Sequence, residues 1–208
     1  AQLFRSLGLV RGDHIAFYLE NNARFLEICM AAARSGLIYT DISSRLTAAE
    51  AEYIVNDCGA KLFISSTAKA TIADELLTLM PKVSSKFMVG GTIPGYDSYE
   101  QARDAMPAEI IADEAIGLDM LYSSGTTGRP KGVSLTLPDT PITDPAPSLL
   151  QMLFGFANDT VYLSPAPLYH AAPLRYNMGT LGAGGTSIIM EEFDEEQALR
   201  LIVRHKIT

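Results

Sequence analysis

The run Leu121-Tyr122-Ser123-Ser124-Gly125-Thr126-Thr127-Gly128-Arg129-Pro130-Lys131-Gly132-Val133 concentrates the residue types that hold a bulky anion. Glycines at 125, 128 and 132 leave the backbone bare where such an anion must approach, and they let consecutive amides converge on it. The hydroxyls of Ser123, Ser124, Thr126 and Thr127 add donors of suitable length, and Lys131 adds a mobile positive charge. This composition suits a polyphosphate. It is not a Walker A loop, because the GxxxxGK[ST] spacing fails from either Gly125 or Gly128 and no Ser or Thr follows Lys131. Nor does it have the GxGxxG spacing of a dinucleotide loop that opens onto a helix. A glycine-rich hairpin with an incidental lysine is the bland alternative, and it leaves most of the run unexplained.

His170 lies in Ser164-Pro165-Ala166-Pro167-Leu168-Tyr169-His170-Ala171-Ala172-Pro173. After a proline-rich strand end a histidine caps or packs more often than it acts as an acid or base. His14 and His205 read as structural. The acidic run Glu191-Glu192-Phe193-Asp194-Glu195-Glu196 reads as a solvated turn and helix start, since acidic side chains favour that end of a helix dipole.

Strands and helices must position these groups, and the pattern alternates between them. A short amphipathic helix ends at Gly8, and His14 to Leu19 is a mostly apolar strand of the kind buried in parallel sheets. Asn21 or Asn22 caps a helix running towards Gly36, where apolar residues recur every three and four positions. Thr47-Ala48-Ala49-Glu50 is a capping box opening a helix that Gly59 ends. A strand over Lys61–Ser65, a helix over Thr67–Met80, a strand over Lys86–Val89 and a helical stretch over Asp97–Ala105 follow. From Leu118 come a strand, the Gly/Thr loop, a second strand over Val133–Leu135 and an exposed Pro/Asp/Thr-rich connection over 138–147. Beyond it the pattern predicts a helix over 148–156, a strand over 160–164, a helix over 171–181, a strand over 185–190 and a helix capped by Asp194. The class is α/β, built from parallel βα units.

The chain has 208 residues, 48% of them hydrophobic, enough to bury a sizeable core. Its net charge of −8 gives no general positive field for a phosphodiester backbone, which argues against nucleic acid as a partner. Cys29 and Cys58 form no CxxC pair and read as buried thiols in a reducing compartment. There is no apolar stretch long enough to cross a bilayer and no leader pattern, so the expected location is cytoplasmic.

Residues 122–132 closely resemble the signature phosphate-binding loop of the adenylate-forming superfamily of acyl-CoA synthetases, peptide-synthetase adenylation domains and beetle luciferases. Two further stretches are similar to that family. Ala31–Ser65, with Gly36, Leu46-Thr47-Ala48-Ala49-Glu50 and Cys58-Gly59-Ala60-Lys61, resembles the segment preceding the loop, and Ser164–Pro173 resembles the next core motif. The likeness is strongest to bacterial fatty-acyl-CoA synthetases. It implies mostly parallel sheets flanked by helices, forming part of a large N-terminal domain. Residues 1–117 would hold the first βα units and 118–208 the phosphate-loop and acyl-site region, with the C-terminal lid domain absent.

The resemblance further implies ATP, Mg2+ and coenzyme A as reactants, with a carboxylic acid of the fatty type as the acyl donor. Ser123, Ser124, Gly125, Thr126, Thr127, Gly128 and Lys131 would bind the ATP phosphates. Thr127 or Thr126 would offer a hydroxyl to Mg2+, and His170 would form a wall of the acyl and AMP site. No residue is assigned as catalytic. The family's histidine soon after the loop lysine is missing, since Ser134-Leu135-Thr136-Leu137-Pro138-Asp139 follows instead. The family's tyrosine-glycine-threonine-glutamate segment, ribose aspartate, hinge and C-terminal lysine do not occur by Thr208. The expectation is therefore a ligase fragment, inactive alone. The alternatives are a non-catalytic nucleotide-binding scaffold, and an adenylation domain that loads a carrier protein. Acyl chain length and oligomeric state are left open by the sequence.

Overall fold

The computed structural model describes residues 1–123, 129–133, 135–139, 142 and 149–208. The chain divides into two units, one made of Ala1–Glu20 with Cys29–Thr143 and the other of Asn21–Ile28 with Asp144–Thr208.

In the first unit the apolar run at His14–Tyr18 forms β1, which is buried on both sides as a central parallel strand must be. It pairs in parallel with β2 (Ile38–Ile42) on one edge and β3 (Leu62–Ser66) on the other. The sheet grows outward through β4 (Ser85–Val89) and β5 (Asp97–Ser98), and β6 (Leu118–Asp119) closes the far edge, giving the order β5-β4-β3-β1-β2-β6. All its pairings are parallel. Helices α1 (Gln2–Ser6), α3 (Ala48–Asp57), α4 (Ala70–Leu76) and α5 (Tyr99–Asp104) belong to this unit, with the second half of α2 (Ala23–Arg34). Ala16, Tyr18, Phe63 and Met88 of the sheet share one buried cluster with Ala51, Ile54 and Val55 of α3 and Leu76 of α4. Ile15, Phe17, Leu62 and Ile64 alternate with them along the strands and are fully buried on the opposite face.

In the second unit β9 (Val161–Ser164) and β10 (Thr186–Ile189) form a parallel pair. Helices α6 (Leu149–Phe154), α7 (Ala171–Gly182) and α8 (Glu195–His205) accompany them. Phe154, Phe156, Tyr162 and Tyr176 form an aromatic cluster whose ring centroids lie 4.9–6.1 Å apart.

The expected α/β architecture is present, with local differences. Strand β2 lies inside the sheet, between β1 and the edge strand β6, although its Thr40 and Asp41 broke the apolar run that marks β1. The helix expected over Thr67–Met80 is a 3-10 turn at Thr67–Lys69 followed by α4, which stops short of Pro81. Residues 97 and 98 pair with β4 before Ser98 caps α5 by accepting from the Gln101 amide. The second strand of the glycine-rich hairpin begins at Lys131 rather than Val133. The connection expected over 138–147 lies largely outside the described residues. Among those residues no helix is long and apolar enough to cross a membrane.

Candidate functional site

Strands β7 (Leu121–Ser123) and β8 (Lys131–Val133) form an antiparallel hairpin with register Leu121↔Val133, Tyr122↔Gly132 and Ser123↔Lys131. The pairing closes the loop from both ends. Directly opposed residues of an antiparallel pair share a face, so the Ser123 hydroxyl and the Lys131 ammonium stand on the same side of the ribbon. Both residues are exposed, and the Ser123 hydroxyl also reaches the Lys131 carbonyl at 3.4 Å. Among the described residues no carboxylate forms an ion pair with Lys131. Ser124, Gly125, Thr126, Thr127 and Gly128, the other residues expected to bind phosphate, lie outside the described residues, as does the hydroxyl expected to meet Mg2+. Among the described residues no group of His, Cys, Asp and Glu is arranged to hold a metal ion.

Gly132 is closely packed. A Cβ there would stand 2.3 Å from the Met120 methyl and 2.9 Å from Cζ of Tyr122, its cross-strand partner. The Tyr122 ring thus lies over bare backbone, and its hydroxyl donates to Asp57 Oδ2 at 2.6 Å. Burial, and then the bond to the Asp57 carboxylate, raise the Tyr122 pKa, which keeps that hydroxyl protonated as a donor. On the other side of the loop the Arg129 guanidinium lies 5.0 Å from the centre of the Tyr53 ring.

Both partners belong to α3, the helix with the expected capping box. Thr47 Oγ1 accepts from the Glu50 amide at 3.4 Å, and Glu50 Oε2 accepts from the Thr47 amide at 2.8 Å. Tyr53 and Asp57 are four residues apart and therefore on one face of this helix. Sequence reasoning missed Tyr53, Asp57 and the contacts of Tyr122 and Arg129. The available signal was the i, i+4 spacing of an aromatic and an acidic residue next to the apolar stripe of α3.

In the second unit the segment from Pro165 to His170 is held by a residue distant in sequence. Asn21 Nδ2 donates to the carbonyls of Ala166 at 3.1 Å and Met190 at 3.0 Å, and Asn21 Oδ1 accepts from the Leu168 amide at 2.9 Å. The expected choice of helix cap resolves to Asn22, whose Oδ1 accepts from the Phe25 amide at 3.1 Å. Asn177 fixes the strand end, with Nδ2 donating to Ser164 Oγ and to the Pro173 carbonyl, both at 2.8 Å. His170 occupies the N-cap position of α7 without a side-chain capping bond; it is exposed, and its ring centre is 4.5 Å from that of Tyr169. At the far end of the unit Asp194 caps α8 as expected, accepting from the Gln197 amide at 2.6 Å.

The AMP-binding enzyme family matches residues 1–208. A long-chain-fatty-acid–CoA ligase of Mycobacterium tuberculosis is 29% identical over 100% of this chain and 40% of its own length. A fatty acid–[acyl-carrier-protein] ligase of Streptomyces coeruleorubidus is 26% identical over 97% of this chain and 38% of its own. The solved N-terminal domain of FACL13 from Mycobacterium tuberculosis superposes with a TM-score of 0.79 at 23% identity, covering 99% of this chain and 50% of that one, and so shares its fold. The chain thus spans about 40% of the length of the curated relatives it matches.

Proposed function

Since this chain belongs to the AMP-binding enzyme family, we propose that the protein containing it is an ATP-dependent acyl-CoA ligase acting in the cytoplasm on a fatty or related carboxylic acid. One observation carries this reading: the likeness to a long-chain-fatty-acid–CoA ligase runs over 100% of the chain, loop included. In the first half-reaction a carboxylate oxygen attacks the α-phosphorus of ATP, the bond to the bridging oxygen breaks, and pyrophosphate leaves acyl-AMP behind. Coenzyme A thiol then attacks the acyl carbonyl, losing its proton to solvent and releasing AMP. The first step needs no base, because a carboxylic acid is already ionised at neutral pH.

Catalysis of this kind is mainly positioning and charge neutralisation. Lys131, with the hydroxyls of Ser123, Ser124, Thr126 and Thr127 and the backbone at Gly125 and Gly128, would hold the β- and γ-phosphates of Mg·ATP. The metal enters as part of that substrate, with Thr127 or Thr126 as its hydroxyl contact. His170 would line the acyl and AMP side. The acyl-carrier-protein ligase among the relatives favours a second reading, in which the acyl group passes to a carrier thiol instead of coenzyme A. Both acceptors should be offered to the product of the complete gene, with fatty acid and Mg·ATP. Thioester formation on coenzyme A supports the first reading, and transfer to carrier protein alone replaces it. Lys131→Ala should raise the KM for ATP about 10-fold, as loss of a charge-assisted phosphate contact does. An unchanged KM would remove Lys131 from the site.

A further inference from the structure

The flanks of the loop are fixed by a single helix face. Tyr122, immediately before the loop, bonds Asp57 at 2.6 Å, and Arg129, near its end, lies 5.0 Å over the ring of Tyr53. Tyr53 and Asp57 are one turn apart on α3, and α3 is anchored by its capping box and by Ala51, Ile54 and Val55 in the core. Among the described residues the hairpin has three residue pairs, and Val133 in β8 is 57% exposed, while Tyr122 in β7 packs against the buried cluster that includes Met120 and the core residues of α3. The helix contacts add a polar restraint on each flank to that packing. A hairpin serving only as a connection has no need of a hydroxyl–carboxylate bond on one side and a cation–ring contact on the other, both made to the same helix.

We propose that Tyr53 and Asp57 form a two-point latch on α3 that holds both flanks of the polyphosphate loop, with Tyr122 and Arg129 as positioning residues. The proposal rests on the reading of residues 123–131 as that loop. A latch on the β- and γ-phosphate cradle should matter for ATP and leave AMP, which lacks those phosphates, unaffected.

The test uses the complete gene product with Mg·ATP and AMP as probes. Tyr122→Phe keeps the ring over Gly132 and removes only the hydroxyl, while Tyr53→Leu removes the ring beneath Arg129. Each should raise the KM for ATP about 3- to 10-fold, with AMP affinity held within about 2-fold, and Tyr53→Phe should restore the wild-type value. Unchanged ATP values in both variants, or parallel losses for ATP and AMP, would overturn the latch. Lys131→Ala, measured alongside, separates the two ideas. If it weakens ATP while the latch variants are silent, only the latch fails; if it leaves ATP untouched, the polyphosphate reading fails with it.

Discussion

Two single residues hold their neighbourhoods by opposite means, Gly132 by having no side chain and Asn21 by filling three bonds with one. Gly132→Ala drives a methyl group into the Met120 and Tyr122 side chains, an overpacking error that should cost about 1–3 kcal/mol and lower the urea midpoint. Asn21→Ala leaves two carbonyls and one amide without their partner at a position 9% exposed. Unpaired buried groups of this kind should cost about 2–4 kcal/mol, read by the same denaturation. The sequence reading gave the glycine an anion-binding role; its packing against Tyr122 was not legible, because a cross-strand partner is set by register. The asparagine was legible only as a helix-cap candidate. Its true partners are up to 169 positions away, and local propensity says nothing of them.

At the scale of elements, α3 was the best marked in the sequence, and its capping box formed as written because every group it needs lies within four residues. Thr47→Ala should cost about 1 kcal/mol. The Glu50 carboxyl accepts from the Thr47 amide and hydroxyl, and these bonds hold its pKa below the ordinary 4.5. A carboxylate depressed on folding adds stability above its ordinary pKa and loses it as pH falls through the lowered value. Thermal melts of wild type and Thr47→Ala should therefore converge in acid without meeting, since the amide-to-hydroxyl bond of the cap survives protonation. An undiminished gap would contradict this account. Strand β2 shows the reverse case: it was invisible because pattern reading expects apolar residues, yet it carries buried Thr40 and Asp41 between β1 and β6.

For the molecule as a whole, the parallel sheet and its βα alternation were readable because most of its helices and strands, β2 excepted, advertise their own period. The glycine-rich hairpin was readable as two strands around a loop, and the phosphate role read from its residue types is carried forward as a proposal. The division of the chain was not, because it depends on which distant segments share a core. The same burial that hides the sheet hides both thiols. Cys29 is 0% and Cys58 5% exposed, and burial raises the pKa of each, that of Cys58 to about 11. Neither should react with an aromatic disulfide reagent in the folded protein near neutral pH, and both should react in concentrated guanidinium. The segment Asn21–Ile28 belongs to the unit otherwise built from Asp144 onward. On a translating ribosome Asn21 therefore emerges long before its partner Met190, a gap of 169 residues. At common elongation speeds that is a wait of roughly 10–30 s. During this interval water serves the Asn21 amide, and the unit to which it belongs cannot close until the segment carrying Met190 has been made.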